Sequence, residues 1–383
     1  MHIVLVHRDL HQVTRGGICT LYRSLAAELA RLGHCVALLG QETPHPVTAP
    51  GVQVVTLPRT EDLDAHRRAV AAAVDRIAPD VVECSSWEAE LLGYTALPSS
   101  RRVPVLVRGD LPAATMHALG LVEAEREICE LADRVIAVSD YAADALSEAY
   151  GLSRLLVVPN GVDQTRFHPG EIRAPRSGWR VRLGETGTIR ERTPLSQAIS
   201  TDPQWADFFT PSEGQGPRLV WVGKFTQMKG FDRLERLIAR LPGGARLLIL
   251  LGHGQVHYPV TDLDAFPGVM VCQDLDDADM PYVYRAADYL VSTSRWEGFG
   301  LAIAEALACG TPALLPADLD VAPELITSDV TGALWASTGD LIDLLVRRPA
   351  LRAALPARYS WAANAEVTLA LYQGLLQRGG AGT

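Results

Sequence analysis

Short apolar runs and amphipathic stretches alternate along this chain, stop near residue 170, and start again near residue 218. In the first stretch, residues 2–7, 34–39, 52–56, 80–84, 103–107, 134–138 and 155–158 read as strands. Helical patterns fill most of the gaps; from Cys19 to Leu32 apolar residues recur three and four apart. The second stretch offers strands at Arg218–Val222, Arg246–Leu251, Val269–Cys272 and Tyr289–Ser292. Helices are expected at Phe231–Arg240, 277–286, Leu301–Cys309 and, at the end, Trp361–Gln377. Such alternation requires a parallel sheet covered by helices on both faces. The pattern therefore predicts an α/β chain built from two doubly wound Rossmann-like domains, and 383 residues suffice for both.

The break between the two stretches, residues 171–217, is rich in Arg, Gly, Pro, Ser and Thr and carries six acids and six arginines. It reads as a long interdomain connection, with a hairpin around Trp179–Val181 and Thr188–Ile189. Loops beyond about 12–15 residues are uncommon unless they are functional or disordered. A flexible insertion and a lid that touches the acceptor are both open readings.

Charge and cysteine usage exclude several classes. The net charge of −10 disfavours nucleic acid and anionic membranes as partners. No apolar run approaches the roughly 20 residues a membrane span needs. The opening Met1-His2-Ile3-Val4-Leu5 reads as a first strand rather than a leader, which places the protein in the cytoplasm. Six scattered cysteines without a C-x-x-C pair indicate neither a disulfide framework nor a zinc site.

Two segments carry chemistry. In 292–312 a strand ends, a polar loop bears Glu297, and Gly298-Phe299-Gly300 opens a helix that begins with Leu301. Ligands of open parallel sheets sit beyond the carboxyl ends of strands, and a glycine-led helix N-terminus favours an anion there. Glu305 lies inside that apolar helix, where an unpaired carboxylate is costly. An arginine, a loop or a polar ligand can each meet it. The second segment, 221–230, holds Gly223 and both lysines of the protein, Lys224 and Lys229, in a chain with 33 arginines. A solvated pair is the ordinary reading; two compact point charges beyond a strand end also suit a diphosphate.

Taken with Val158-Pro159-Asn160-Gly161-Val162-Asp163, Ala132–Ser139, Gly16-Gly17 and the Ser360-Trp361…Tyr372 helix, these segments resemble the retaining GT-B glycosyltransferases of family 4. The likeness covers nearly the whole chain outside 171–217. It implies that residues 1–170 bind the acceptor and 218–360 the nucleotide-sugar, with the active site in the cleft between them. The last helix, 361–378, would cross back to the first domain. Lys224 and Lys229 would contact the diphosphate, although the family usually has Arg where this chain has Lys224. Glu305 would hold the ribose; Glu297, Gly298, Phe299, Gly300 and Leu301 would hold the sugar and its phosphate. Gly16 and Gly17 would let the first helix approach the same phosphates, and the base would pack near Gln273 and Leu275.

The acceptor side departs from the family pattern. A His-Asp pair is usual after the fifth strand; here Val107-Arg108-Gly109-Asp110 keeps only the acid. His117 can substitute from the next loop or be an ordinary surface residue. Glu83 and Trp87 end the fourth strand, where Trp87 can stack on a sugar or belong to the core. The resemblance further implies retention of configuration without a metal and without a cofactor, Lys224, Lys229, Glu297 and Asp110 being the candidate catalytic residues. Three D-x-D triplets, Asp262–Asp264, Asp274–Asp276 and Asp318–Asp320, leave a metal-dependent reading open. UDP is the expected nucleotide. Residues 1–170 hold 15 arginines against 21 acids and no lysine, which favours a small soluble acceptor, of aminocyclitol type in natural-product synthesis. The rivals are a nucleotide-sugar 2-epimerase, a pyridoxal-dependent phosphorylase and a catalytically silent binding partner.

Overall fold

The computed structural model describes residues 1–12, 16–153, 155–184, 187–210, 214–252 and 263–380. The chain forms two compact units, residues 1–161 with 358–383, and residues 162–357.

The first unit holds β1 (His2–Val6), β2 (Cys35–Gln41), β3 (Val52–Leu57), β4 (Val81–Ser85), β5 (Val105–Gly109), β6 (Arg134–Ala137) and β7 (Leu156–Val157). Their order is β3-β2-β1-β4-β5-β6-β7, and every pair is parallel. Helices at Gly17–Arg31, Leu63–Ile77, Val122–Leu131 and Asp140–Tyr150 cover the faces. β4 and β5 are buried along their whole length, so they read as apolar runs rather than alternating ones. The helix starts are specified locally. Asp62 accepts the amides of Asp64 and Ala65, and Ser139 accepts that of Ala142. The winding direction reverses between β1 and β4, so the carboxyl ends of these two strands flank the crevice where such sheets take ligands.

The helix Trp361–Gly380 packs within this unit. The Asn364 side-chain amide donates to the Pro159 carbonyl at 2.7 Å, and Thr368 Oγ1 accepts from Arg108 Nη2 at 3.0 Å. The chain leaves the unit at Gly161 and returns at Arg358. A Cβ on Gly161 would lie 2.2 Å from the Trp361 amide nitrogen, so the outgoing and returning segments can touch only at a glycine.

The second unit holds β8 (Trp179–Leu183), β9 (Ile189–Pro194), β10 (Arg218–Gly223), β11 (Arg246–Leu251), β12 (Val269–Gln273), β13 (Tyr289–Val291), β14 (Ala313–Pro316) and β15 (Gly332–Trp335). The order is β15-β14-β13-β10-β11-β12-β8-β9, parallel from β15 to β12 and antiparallel at the β8–β9 edge. Trp221, Phe225 and Phe231 stack through its core, with ring centroids 5.9 and 4.4 Å apart.

The described residues of 171–217 are therefore built into the second unit rather than forming a bare linker. The expected hairpin exists, and β8 adds it to the sheet against β12, where it covers an edge that would otherwise invite another strand. Two short helices follow, Leu195–Thr201 and Pro203–Phe209, and the second buries Trp205, Phe208 and Phe209. The sequence hid this because β9 is exposed along almost its whole length and each helix spans seven residues. Residues 162–170, expected in the first domain, also belong to this unit. The Arg285 guanidinium donates to the carbonyls of Arg166 and His168 at 3.3 and 2.8 Å, and Phe167 packs on Tyr284.

Candidate functional site

In the second unit the loops after β10 and β13 are sewn together at the carboxyl edge of the sheet. Trp221 Nε1 donates to Thr293 Oγ1 at 2.9 Å, and that hydroxyl donates to the Lys229 carbonyl at 2.7 Å. Gly230 sits in the left-handed region (φ 60°), and a Cβ there would lie 1.9 Å from the Thr293 carbonyl oxygen. Only glycine permits this approach. Lys229 is thereby aimed across the gap. Its Nζ donates to Glu297 Oε1 at 2.6 Å, and Ser294 Oγ donates to the same oxygen at 2.7 Å. Both partners are largely buried, 19 and 14 % exposed at the side chain. Gly223 belongs to the same assembly, since a Cβ there would meet Lys229 Cγ at 3.3 Å.

An ammonium has three donors, and Glu297 occupies one, so Lys229 is held in place with donors to spare for phosphate oxygens. Gly300 (φ 84°) caps the helix Leu301–Ala308 without any side-chain hydrogen bond. The first amides of a helix lack intrahelical acceptors, and its dipole favours an anion at that end. Gly298 and Phe299 are buried and lead into it. Glu305 lies about one turn into this helix and is half-buried; Tyr284, itself fully buried, donates its phenol to Glu305 Oε2 at 2.8 Å. A buried tyrosine is thus one partner of this carboxylate inside the protein. Lys224, by contrast, is exposed at the start of the loop.

Gln273 and Leu275 are buried at the end of β12, and the Gln273 amide donates to the Gly252 carbonyl at 3.3 Å. The β8–β9 hairpin closes over this segment. Trp179 pairs with Gln273, Arg192 donates to Asp274 at 2.5 Å, and Gly178 lies against Leu275. The segment expected to receive the base is therefore partly walled by residues that the sequence assigned to a linker.

The first unit corrects the acceptor set. Arg108 and Glu83 are 1 and 0 % exposed and pair with each other, Nε to Oε1 at 2.7 Å, beneath the helix Trp361–Gly380. Tyr372 donates its phenol to the other oxygen of Glu83. Burial alone would lower the Arg108 pKa, but the adjacent Glu83 carboxylate outweighs it and holds the guanidinium charged. These two residues fasten the last helix and do not face a ligand. His117 sits exposed in a left-handed turn (φ 55°). Asp110 is half-buried, with Oδ1 accepting from the amide of its neighbour Leu111 at 3.0 Å. Trp87 is half-buried just past β4. Gly16 and Gly17 begin the first helix, and a Cβ at Gly17 would meet nothing within 4 Å.

Beneath these loops lie two further buried carboxylates that the sequence reading missed. Glu125 accepts from Ser86 Oγ, the Ala113 amide and the Tyr150 phenol, each at 2.5 Å. Glu90 accepts from His7 Nδ1 at 3.1 Å and His66 Nε2 at 2.8 Å, and His66 Nδ1 accepts in turn from Gln41 at 3.0 Å. Burial pushes the Glu90 pKa up, but the hydrogen bonds from His66 and His7 win and bring it down to about 2. Above this anchor the chain turns through two left-handed residues, Glu88 (φ 63°) and Ala89 (φ 50°). Burial raises the pKa of Glu88, with Arg8 opposing. Neither Glu90 nor Glu125 stood out in the sequence: Glu125 lies among Glu123, Arg126 and Glu127, and the donors to both carboxylates come from distant segments.

Among the described residues no three His, Cys, Asp or Glu are placed to hold a metal ion, and no helix is long and apolar enough to cross a membrane. Asp262 lies outside the described residues. Of the other triplets, Asp274 and Asp318 are bound by Arg192 and Arg233.

Comparison with known proteins matches two successive parts of the chain. Residues 15–166 match Glycosyltransferase Family 4, and residues 204–355 match Glycosyl transferases group 1. A D-inositol 3-phosphate glycosyltransferase of Actinosynnema mirum is 28 % identical over 97 % of this chain and 91 % of its own. That of Nocardia farcinica is 31 % identical, over 76 and 62 %. Sucrose-phosphate synthase from Thermosynechococcus elongatus shares the fold with a TM-score of 0.74 at 19 % identity, over 98 % of this chain and 99 % of that one. HepE of Anabaena, solved with UDP-glucose, does so at 0.64 and 15 %, over 100 and 98 %.

Proposed function

The chain belongs to the GT-B glycosyltransferases of family 4 type and uses a nucleotide-sugar donor, and from that premise we propose that it transfers a hexose from a UDP-sugar to a hydroxyl of a small, amine-bearing cyclitol, with retention of configuration. The observation that carries the donor half is the Lys229–Glu297 pair, fixed between two strand ends beside the N-terminus of the helix Leu301–Ala308. Lys229 and that helix end stabilise the charge that grows on the departing diphosphate, and Lys224 adds a second cation from the exposed side of the loop. Such preorganised donors act most strongly where charge develops during reaction. Glu305 takes the ribose hydroxyls while Tyr284 holds its other side. Glu297 orients Lys229 and offers its second oxygen to the sugar. The acceptor hydroxyl attacks from the face the diphosphate leaves, and a phosphate oxygen takes its proton. No metal and no protein nucleophile take part.

Three observations support the substrates. HepE, of the same fold, was solved with UDP-glucose; relatives over the whole chain are named for an inositol phosphate, a cyclitol; and residues 1–170 carry an excess of acids. The test is to incubate the protein with UDP-glucose or UDP-N-acetylglucosamine, EDTA and a cyclitol panel, and to follow UDP release and the anomeric signal by NMR. Retained configuration in an acceptor-dependent product supports the reading. An inverted product, or donor consumed equally without acceptor, contradicts it.

A further inference from the structure

The β8–β9 hairpin lies outside both stretches that match known families, 15–166 and 204–355. It is nevertheless fastened to the end of β12, the segment against which the base is expected to pack. The ladder itself is short, with Cys272 opposite Arg180 and Gln273 opposite Trp179. The attachment continues past the strand. Asp279 Oδ2 accepts from the amides of Arg176 and Ser177 at 2.9 and 2.7 Å, and from Ser177 Oγ at 2.6 Å. The same hydroxyl accepts from the Asp276 amide at 2.9 Å. Gly178 (φ 88°) lets the chain pass close by; a Cβ there would lie 3.1 Å from Leu275 Cδ1 and 3.3 Å from Cys272 Sγ. Residues 176–180 thus run along residues 273–279 and hold them from one side.

Within that segment Asp274 is left-handed (φ 55°). Aspartate visits this region more readily than most side chains, but the conformation still costs energy and persists only where the surroundings fix it. Arg192, on β9, supplies such a restraint. Its Nη2 donates to Asp274 Oδ2 at 2.5 Å, and its guanidinium lies over the Trp179 ring, 5.2 Å from the centroid. The Asp274 side chain is 17 % exposed, so the pair is partly shielded from solvent. A left-handed residue redirects the peptide units on either side of it. The directions of the Gln273 carbonyl and the Leu275 amide therefore depend on Asp274 keeping this conformation. Uracil presents one N–H between two carbonyl oxygens, and a few backbone groups at fixed angles are enough to tell such an edge from a purine.

We propose that Arg192 is a positioning residue for the donor base: through Asp274 it locks the backbone of Gln273–Leu275 in the arrangement that selects uracil over purines, while Trp179 holds the guanidinium in place. The inference rests on the donor site proposed above, and it gives base selectivity to a hairpin that neither family match includes.

Calorimetric titration of the full-length protein with UDP, ADP and GDP tests it in wild type, Arg192→Ala, Arg192→Lys, Asp274→Asn and the double variant Arg192→Ala/Asp274→Asn. Wild type is expected to prefer UDP by about tenfold or more. Arg192→Ala should bind UDP about tenfold more weakly, the scale of one lost charge-assisted hydrogen bond, and leave ADP and GDP within about twofold of wild type. Arg192→Lys keeps the charge without the planar fork and should recover part of the loss. Asp274→Asn tolerates the left-handed backbone but lacks the charge. The double variant should therefore cost no more than the larger single loss, since both changes break one bond. UDP bound as tightly by Arg192→Ala as by wild type, a loss shared equally by all three nucleotides, or additive losses overturn the assignment. So does a wild type without preference among the bases. The shared loss is also what a poorly folded variant would show, and Arg192→Lys and the double variant then decide. A wild type that binds no nucleotide removes the donor reading itself; one that binds UDP while Arg192→Ala is unchanged removes only the role of the hairpin.

Discussion

The two sheets end in different materials. At the carboxyl edge of the second unit the loops are built from glycines and close backbone approach, with a single lysine–carboxylate pair set among them. At the corresponding edge of the first unit the loops rest on three buried carboxylates, Glu83, Glu90 and Glu125, each satisfied by several donors. In the proposed function the difference follows from what each edge would have to meet. A diphosphate is recognised by backbone amides and point charges, a demand that any nucleotide-sugar imposes in the same form. An acceptor has its own pattern of donors and acceptors, and rigid, individually placed side chains are the means of matching it.

The sharpest way to break this contrast is to disarm one buried carboxylate. Glu83→Gln leaves the Arg108 guanidinium charged and unpaired, and removing one partner of a buried ion pair costs about 3–5 kcal/mol. Urea unfolding should show that loss, while the double variant Glu83→Leu/Arg108→Met should recover most of it. If the single variant is as stable as wild type, the pair does not fasten the helix Trp361–Gly380. On the other edge, Lys229→Ala should leave the fold intact and lower the transfer rate by about 10²–10³, the scale of a lost oxyanion donor. A loss below threefold would move the catalytic charge elsewhere, with Lys224 the next candidate. Gly230→Ala asks whether the second edge depends on close approach. A residue forced into the left-handed region costs about 1–3 kcal/mol, and the clash with the Thr293 carbonyl adds to it. Thermal unfolding should register this together with a weaker response to UDP.

These outcomes bear on why one edge was legible in the sequence and the other was not. Gly298-Phe299-Gly300 and the two lysines stand out because their signal is local: a few consecutive residues supply the whole geometry. The Arg108 environment cannot be read that way, because its partner Thr368 lies 260 positions further along the chain. The strand-end position of Arg108 suggested a ligand, whereas its side chain turns under the last helix. The pair still left a trace. Glu83 and Arg108 each interrupt an apolar strand, and the two strands are neighbours in register, Ser85 opposite Arg108. The hairpin was expected, but not its pairing with β12 or the two helices after it, since an exposed strand and two-turn helices bury too little to show a period.

The smallest expected effect separates the edges by pH. The Glu90 carboxyl titrates near 2 in the folded protein, below its ordinary value of 4.5. A depressed carboxyl contributes stability above the unfolded value and loses it as pH falls through the folded one. The first unit should therefore weaken between about pH 4.5 and 2, and Glu90→Gln should flatten that part of the profile. In the second unit Asp232, bonded to Arg295 and Arg236, also titrates near 2, but it is only half-buried. Salt should therefore erase its share and spare that of Glu90. Acid unfolding at low and high salt, followed by Trp fluorescence, checks both.

The central claim is that the loops after β10 and β13 bind a nucleoside diphosphate through Lys229. Calorimetric titration of UDP in EDTA into wild type, Lys229→Ala and Glu88→Gln tests it most directly. The account predicts binding to wild type, at least tenfold weaker binding to Lys229→Ala, and no change in Glu88→Gln. UDP that binds Lys229→Ala as tightly as wild type, or binds neither, would contradict it.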